Sequence, residues 1–279
     1  MIQQKIRGKV LIKEIKDRKL HLCIITNGVL VSKYAKLIVN AGVDELSLSI
    51  DGPEEVHDDV RNMKGAFSAI KKGVDEVNRL KAERKSRFPI INIVCTISDR
   101  NFSRLDELVK VAEDMKAHTL NFHHLIHTDG ETVKAHNAEF KELFGCESKD
   151  WEGFVLPNIR KVDAAVLTEK IRSITSKKYP FLVSFYPNFG LKELKDYYSD
   201  PKFISKSYPE RCLSPWIVSY IYPDGSVLPC HSLGYSAGNI NEKSFLDIWN
   251  GEEMRKFRKE LKKRKNFKVC PKCTEKYRY

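Results

Sequence analysis

The stretch "LHLCIITNGVLVSKYAKLIVNAGVDELSLSIDGP", residues 20–53, contains a complete strand–helix–strand pattern. Its two apolar segments, 20–26 and 45–50, are short, and each runs into a polar turn, "NG" or "DGP". Between them, apolar residues recur every three to four positions up to Gly42, a residue type that commonly ends a helix. The stretch therefore predicts two parallel strands joined by a crossover helix.

The same alternation continues to about residue 125. Strands are predicted at "IINIVCT" (90–96) and "TLNFHHL" (119–125), with amphipathic helices at 66–85 and 104–116. Parallel sheets and barrels built in this way bind ligands at the carboxyl ends of their strands. Asn27 and Asp51 follow the first two strands, so we expect them on one rim with the loops that follow the other two.

The second half of the chain has a different pattern. Residues 150–208 are helical or irregular, with one isolated strand candidate, "FLVSFYP" (181–187). A β-hairpin is then predicted, because "WIVSYIY" and "SVLP" flank the turn Pro223-Asp224-Gly225. One last helix, "SFLDIWNGEEMRKFRKELKKRK", follows. We predict an α/β region over 1–150, a connecting helical region over 151–208 and a small C-terminal module over 209–279.

Composition narrows the class of protein. A hydrophobic content of 42% in 279 residues is enough for a packed core and argues against disorder. No apolar run approaches the roughly 18 residues of a membrane span, and the charged N-terminus has no apolar signal core. We predict a cytoplasmic protein without a membrane partner. Seven cysteines in a reducing compartment indicate metal ligands or buried thiols rather than disulfides.

The net charge of +12 is concentrated in residues 255–268, where nine of fourteen residues are basic. One interpretation is a docking surface for an acidic partner or a nucleic acid. The other is a solvated helix whose Met254, Phe257 and Leu261 recur at helical spacing and face the core. We expect the second, and no nucleic-acid partner, because no nucleic-acid-binding motif accompanies the charge.

Four cysteines surround the predicted hairpin and the last helix. Cys212 and Cys230 bracket the hairpin, and Cys270 and Cys273 form a C-x2-C knuckle whose thiolates can turn toward one centre. The spacing predicts that these four residues are a complete ligand set. It does not separate a four-thiolate zinc site from a [4Fe–4S] cluster, although the single knuckle favours iron–sulfur.

These residues also carry a resemblance to a known family. The pattern C-x12-G-x4-C (Cys212, Gly225, Cys230), with "GNINEKSFLDIWNGEEMRKFR" and "CPKC" after it, resembles the SPASM/twitch module of radical S-adenosylmethionine (SAM) enzymes. "IITNGVLV" and "DELSLSIDGPEEVHDDVR" resemble the third and fourth strands of the radical SAM barrel. The resemblance implies a partial (β/α)6 TIM-like barrel plus a small twitch hairpin–helix module. It also implies one auxiliary [4Fe–4S] cluster on Cys212, Cys230, Cys270 and Cys273.

The resemblance suggests where SAM binds. Polar residues of the fourth strand contact the SAM ribose in the family, which makes Asn27, Ser49 and Asp51 the candidate contacts. Ser49 and Asp51 are two residues apart and so point to the same face of a strand. Ordinary loop capping is the alternative for these positions and the expected role of Thr26. For His57 and Arg61 we expect loop bracing.

The remaining histidines and cysteines are not expected to bind a metal. His123 and His124 are adjacent on a strand and face opposite ways, so they and His127 do not predict a second site. His231 is expected beside the cluster rather than on it, because four thiolates complete the ligand set. Of the other cysteines, two lie in apolar strands and are expected in the core, whereas the third is unassigned: Cys23, Cys95 and Cys146.

The family's C-x3-C-x2-C motif, which binds the SAM-cleaving cluster, and its Gly-Gly-Glu-Pro-like motif are absent from this sequence. The sequence also opens on a helix that leads directly into a strand. We therefore expect that the chain begins partway through a barrel and that it is inactive by itself.

The resemblance implies an oxidoreductase that, when intact, uses SAM and a second [4Fe–4S] cluster to abstract hydrogen from a substrate. The substrate class stays open among peptides, carbohydrates and other small molecules, and a flavodoxin or ferredoxin is the expected reductant. Two alternatives remain: a non-enzymatic zinc module with the same four cysteines, and an electron-transfer protein that uses the cluster alone.

Overall fold

The computed structural model describes residues 2–156, 161–200 and 202–278. The chain divides into two compact units. Unit 1 comprises Met1–His124 and Val166–Asn188, and unit 2 comprises Leu125–Ala165 and Phe189–Tyr279. These two units are defined by packing and not by sequence motifs. The predicted boundaries near residues 150 and 208 therefore stay a prediction. In the part of the chain that the structure describes, no helix is long and apolar enough to cross a membrane.

Helices occur along the whole of the described chain. Their bounds are α1 (Ile2–Asp17), α2 (Val31–Asn40), α3 (Glu54–Arg61), α4 (Ala66–Glu83), α5 (Leu105–Asp114), α6 (Gly130–Phe144), α7 (Ala164–Thr175), α8 (Leu191–Ser199), α9 (Ser214–Ile217), α10 (Phe245–Trp249) and α11 (Glu252–Arg264).

Unit 1 is built on a five-stranded parallel sheet whose strands lie in sequence order. Its strands are β1 (Cys23–Thr26), β2 (Glu45–Ser49), β3 (Ile90–Ile97), β4 (Thr119–His124) and β5 (Leu182–Tyr186). Each of the first four lies within three residues of its predicted bounds. Sequential parallel order with intervening helices is the topology of a (β/α) barrel segment, which agrees with the predicted α/β class.

The sequence predicts an isolated strand at residues 181–187, but in the structure this strand is part of the sheet. β5 joins the sheet beside β4, with Thr119 opposite Leu182 and His123 opposite Tyr186. Nearly sixty residues separate the two strands in the sequence. Local periodicity identifies such a strand but carries no information about its partner, because the pairing is set by tertiary packing.

One face of the sheet forms the core of unit 1. Leu46, Leu48 and Ile93 point to this face and are fully buried. α2 and α4 pack closely here because Gly73 leaves room between them: a Cβ at this position would lie 2.8 Å from the Cβ of Val31. The opposite face carries polar side chains, which are described with the site.

Unit 2 contains a three-stranded antiparallel sheet of β6 (Tyr220–Ile221), β7 (Ser226–Leu228) and β8 (Gly238–Asn239). The predicted turn is present, and Gly225 has φ +88°, a conformation that requires glycine. The first hairpin strand is shorter than predicted. Trp216 and Ile217 belong to α9 instead, because Pro215 at the start of this short helix presets a helical φ.

The predicted last helix is two helices. α10 ends at Trp249, and α11 begins after Gly251. A Cβ at Gly251 would lie 2.7 Å from the carbonyl oxygen of Asp247, so the chain can change direction there only with glycine. Met254, Phe257 and Leu261 of α11 are buried, as their spacing predicts, and most of its basic residues are exposed. The solvated-helix interpretation of the charged stretch is therefore confirmed.

Candidate functional site

The four cysteines of the predicted ligand set lie in one apolar core of unit 2. We call Cys212, Cys230, Cys270 and Cys273 the cysteine cluster. Cys273 is buried with Phe257, Phe267 and Val269, and the other three are partly buried and pack against the same core. The hairpin supplies two of these residues. Short 3₁₀ helices at Cys270–Lys272 and Thr274–Tyr277 hold the other two.

The four thiols are close enough to influence one another electrostatically. Burial raises the pKa of each thiol: that of Cys230 lies well above its ordinary value, and that of Cys273 rises to about 12. Neighbouring thiolates raise the pKa values of Cys230, Cys270 and Cys273 further. Cys230 experiences the charge of the three others. Burial therefore favours the neutral thiols in this core, and the positive charge of an iron–sulfur cluster or a zinc ion would hold them as thiolates.

Backbone hydrogen bonds reach the same sulfur atoms and act in the opposite direction. Backbone groups of Ser214, Ser232 and Glu275 lower the pKa values of Cys212, Cys230 and Cys273, respectively. N–H groups directed at sulfur stabilise a thiolate and are one of the protein's means of tuning an iron–sulfur centre. The loops that carry the cysteines are thus folded to accept negative charge on sulfur.

Across the ranges that the structure describes, no three His, Cys, Asp or Glu side chains are arranged to hold a metal ion. The chemistry of the four thiols in the cysteine cluster shows instead which group fits them. Four thiols, drawn from segments forty residues apart, share one apolar core and carry backbone hydrogen bonds to sulfur. This donor set fits a four-cysteine iron–sulfur cluster, in which each thiolate binds a different iron.

The other cysteines occupy ordinary positions. Cys95 is fully buried in β3, and burial raises its pKa well above the usual value. Cys23 is exposed on the edge strand β1, so its predicted place in the core was wrong. Its Sγ lies 3.5 Å from Oγ of Ser47. Cys146, unassigned from the sequence, packs against the core that holds the cysteine cluster. His231 lies beside Tyr220, with ring centroids 5.2 Å apart.

In unit 1, the predicted SAM contacts follow β1 and β2 at the carboxyl edge of the sheet. Thr26 pairs with Leu48, so the next residues, Asn27 and Ser49, are level at that edge. Asn27 is exposed, and its Oδ1 accepts a hydrogen bond from the backbone N–H of Val29 at 3.4 Å. Thr26 caps the same turn, as expected, through the N–H of Gly28. The carboxyl edge of the sheet thus presents the amide of Asn27 and the hydroxyl of Ser49.

Asp51 lies beyond Ser49 in a buried polar network. Its Oδ2 accepts a 2.6 Å hydrogen bond from Nε of Arg61, and its Oδ1 accepts one from the backbone N–H of Thr96 at 3.3 Å. The N–H of Asp51 donates to Nδ1 of His57 at 3.2 Å, which makes this ring nitrogen an acceptor. Burial lowers the pKa of His57, so the neutral ring persists. His57 and Arg61 therefore brace this loop.

A feature that the sequence interpretation missed crosses the opposite face of the sheet. We call this face the polar face, and its hydrogen-bonded side chains the ladder. From strand to strand, the ladder contains Cys23, Ser47, Asn92, Thr119, Asn121 and Ser184. Thr119 donates to Asn92 at 2.9 Å, and Ser184 donates to Asn121 at 2.7 Å. The alternation of polar residues in β2–β5 was its signal in the sequence.

The histidines near the end of β4 are not grouped around one point. His124 is fully buried, and burial lowers its pKa to about 3. His123 packs against Tyr186, with ring centroids 5.3 Å apart. His127 lies in unit 2, between the rings of Tyr197 and Tyr198.

The fold and the site define the class as an α/β protein with an open parallel sheet and a C-terminal four-cysteine module. Sequence profiles give the family. Residues 4–110 match the radical SAM superfamily, and residues 212–274 match the SPASM iron–sulfur cluster-binding domain. The chain belongs to the radical SAM superfamily and carries a C-terminal SPASM domain. These domains imply an enzyme whose cofactors are SAM and iron–sulfur clusters.

Several relatives are similar to most of the chain. It is 26% identical over 275 residues to the "AdoMet-dependent heme synthase" of Methanosarcina barkeri, covering 92% of this chain and 70% of that protein. It is 27% identical to the "Fe-coproporphyrin III synthase" of the same organism, covering 84% of this chain and 55% of that protein. A heme synthase of Oleidesulfovibrio alaskensis is 24% identical, with 85% and 57% covered.

Solved structures show the same fold at low sequence identity. SuiB of Streptococcus suis bound to S-adenosylmethionine aligns with a TM-score of 0.61 at 14% identity, over 95% of this chain and 57% of that chain. anSMEcpe with bound AdoMet aligns with a TM-score of 0.50 at 18% identity, over 93% and 65%. The chain thus spans 55–70% of the length of these relatives and structural neighbours.

Proposed function

We propose that this chain acts in a radical SAM enzyme that cleaves SAM reductively, with one auxiliary [4Fe–4S] cluster on Cys212, Cys230, Cys270 and Cys273. The observation that carries the proposal is the placement of these four thiols in one apolar core. A single four-cysteine cluster is the twitch form of the module. With all four sulfurs engaged, the auxiliary cluster has no open coordination position, so electron relay or structural support is its role.

The cofactors supply the difficult chemistry: an electron delivered to SAM releases a 5′-deoxyadenosyl radical, which takes a hydrogen atom from the substrate. The chain's residues bind and orient. Asn27 and Ser49 are proposed to contact the SAM ribose from the carboxyl edge, where both side chains are level. Asp51, predicted with them, is proposed to position that loop, because Arg61 and Thr96 already hold its carboxylate.

Iron binding tests the cluster assignment directly. Reconstituted without oxygen, the chain should bind about four irons per monomer and be brown. Replacing any member of the cysteine cluster by serine should lower the iron content, whereas Cys146→Ser, in the same core, should not. A colourless protein that binds zinc through the same four residues would instead support the non-enzymatic module, and a protein that binds neither metal would refute both.

SAM binding tests the edge. Ser49→Ala and Asn27→Ala should each weaken SAM binding, measured by calorimetry on the protein loaded with all its clusters, by about tenfold, or 1.4 kcal/mol. Thr96→Ser, which keeps a hydroxyl at the neighbouring strand, is the control. If both alanine variants bind SAM as tightly as the wild-type protein, Asn27 and Ser49 only cap their loops.

The remaining parts of the proposal concern partners and location. Reductive cleavage makes the protein an oxidoreductase that needs an electron donor such as a flavodoxin or ferredoxin. None of the seven cysteines forms a disulfide, which supports the proposed cytoplasmic location. We propose neither a membrane nor a nucleic acid as partner.

We further propose an anionic small molecule, of the carboxylated tetrapyrrole class, as substrate. The relatives named as heme and Fe-coproporphyrin III synthases motivate this class. Unit 2 has a cavity of about 1340 Å³ lined by three exposed lysines: Lys134, Lys202 and Lys268. Of the three acidic residues in the lining, Asp129 caps α6 and Glu139 binds Arg264 at 3.0 Å, whereas Glu131 is exposed. We propose that the three lysines bind carboxylates of the substrate.

A tetrapyrrole probe separates this class from peptides. Iron–coproporphyrin III added to the chain should shift the Soret absorption, and the double variant Lys134→Glu/Lys202→Glu should weaken its binding more than tenfold. Lys110→Glu, exposed in unit 1, is the matched control. If the probe does not bind, or binds the double variant equally well, the proposed substrate class is wrong.

A further inference from the structure

Two buried tyrosines bind the backbone of the knuckle, residues 270–273. The hydroxyl of Tyr277 donates to the carbonyl of Pro271 at 2.5 Å. The hydroxyl of Tyr197 donates to the carbonyl of Lys272 at 3.2 Å and also to that of Leu125 at 2.8 Å. Tyr197 is fully buried and Tyr277 is 3% exposed, so water does not compete for these bonds. Both carbonyls that lie between the two knuckle cysteines are therefore bound by a tyrosine.

The same two peptide groups are also bound on their N–H side. The N–H of Lys272 donates to the carbonyl of Val269 at 3.1 Å, and the N–H of Cys273 donates to the carbonyl of Cys270 at 3.0 Å. A trans peptide group is planar, so fixing its C=O and its N–H fixes the orientation of the whole group. These bonds together set the directions in which the side chains of Cys270 and Cys273 leave the backbone.

Lys272 makes the contact with Tyr197 reciprocal. Its side chain is buried, and its ammonium donates to the carbonyl of Tyr197, whose hydroxyl donates back to the carbonyl of Lys272. Nζ of Lys272 also lies 4.8 Å from the ring centroid of Tyr197 and 5.5 Å from that of Phe203. A buried ammonium is tolerated only with such partners. The knuckle is thus joined to α8, the helix that carries Tyr197.

One phenylalanine packs against both tyrosine rings. The ring centroid of Phe189 lies 5.2 Å from that of Tyr197 and 5.3 Å from that of Tyr277. Packing therefore positions the two rings, and each ring positions its hydroxyl. Replacing either tyrosine by phenylalanine removes the hydroxyl and keeps this packing, which makes the hydroxyls separately testable.

We propose that Tyr197 and Tyr277 are positioning residues of the auxiliary cluster, which hold the knuckle in the conformation that binds it. This inference rests on the proposed function, since it takes Cys270 and Cys273 as ligands. Each tyrosine acts through a peptide group of the knuckle and not as a ligand. Ligands that are already ordered lose less conformational entropy on binding, so the bound centre is held more tightly.

Release of iron from the reconstituted protein to an excess of a ferrous chelator tests the inference. Tyr277→Phe loses a short buried hydrogen bond and should release iron about tenfold faster than wild type. Tyr197→Phe should release it about threefold faster, because its hydroxyl is shared between two carbonyls. In both variants, EPR should show a three-iron cluster, because a thiolate that moves away frees the iron it binds.

Tyr235→Phe is the matched control for the chelator experiment. Tyr235 is buried in the core that holds the cysteine cluster, and its hydroxyl donates to Glu253 of α11 instead of the knuckle. This variant should release iron at the wild-type rate. Release as fast as from Tyr277→Phe would assign the effect to general stability and overturn the inference, as would wild-type rates in both Tyr197→Phe and Tyr277→Phe.

Cobalt binding to the cluster-free protein separates this inference from the proposed function. Co²⁺ bound by thiolates is followed by visible absorption, and Tyr197→Phe/Tyr277→Phe should bind it at least about tenfold more weakly than wild type, whereas Tyr235→Phe should not. Wild-type Co²⁺ affinity in the double variant, or no Co²⁺ binding by the wild-type protein, overturns the inference. If the wild-type protein binds Co²⁺ but no iron, the proposed function is wrong, and the Co²⁺ affinities alone decide the inference.

Discussion

The Arg61–Asp51 pair allows a quantitative test of how the loop after β2 is held. The carboxylate of Asp51 is only 1% exposed, and Nε of Arg61 donates to it at 2.6 Å. The other hydrogen bond that we describe to this carboxylate, from the N–H of Thr96, is long, at 3.3 Å. Replacing Arg61 by alanine therefore leaves a buried carboxylate with a single weak partner.

The expected cost follows from these contacts. Removing one partner of a buried ion pair costs about 3–5 kcal/mol. Because the Arg61 side chain is 36% exposed, water reaches part of the site and reduces this figure to about 2–3 kcal/mol. At about 2–4 °C per kcal/mol for a unit of this size, the unfolding temperature of unit 1 should fall by roughly 5–10 °C.

A double-mutant cycle isolates the pair. Urea unfolding of Arg61→Ala, Asp51→Asn and the double variant should give a coupling free energy of about 1.5–2 kcal/mol. Arg104→Ala is the control, because Arg104 binds Glu55 and Glu107 in an exposed network whose loss should cost less than about 1 kcal/mol. Additive effects of the two single substitutions, within about 0.5 kcal/mol, would refute the bracing role of Asp51.

Two further predictions concern buried positions in each unit. His136 is fully buried without a hydrogen-bond partner among the described residues, and burial lowers its pKa from 6.5 to about 4. The folded protein should therefore lose stability as the pH falls from about 6.5 to 4. In urea unfolding, the free energy of unfolding of His136→Phe should rise relative to wild type by about 2 kcal/mol between pH 7 and pH 5. A difference between variant and wild type that does not change with pH would contradict this assignment. Gly73→Ala should destabilise unit 1 by about 1–3 kcal/mol despite its higher helix propensity, because its Cβ would lie 2.9 Å from the N of Ser32. Gly130→Ala, with open space around it, should be neutral or stabilising in the same thermal assay, and equal effects at both positions would argue against the steric reason.

The sequence was most informative where local chemistry decides the structure. Gly42 and Gly225 have positive φ at the predicted helix end and turn. The pairing of β5 was not predictable, because the sequence between β4 and β5 forms other elements first. The division of the last helix at Gly251 was missed for a similar reason: the close approach to Asp247 is a tertiary contact without a periodic signal.

The same distinction applies to the site. The sequence spacing predicts that Cys270 and Cys273 share one site with the hairpin cysteines. The apolar core that all four contact in the structure is consistent with this prediction. Their role as ligands stays a prediction.

The position of the ladder along the strands suggests how the polar face is divided. Ser47, Asn92, Asn121 and Ser184 are each the third residue of their strand, and the hydrogen bonds of the ladder connect them through Thr119. A satisfied network of this kind costs little to desolvate and helps to fix the register of the strands. The side chains nearer the carboxyl ends, such as Ser49, lie beyond it. We therefore expect binding at the carboxyl edge, and the ladder supports the sheet from which that edge projects.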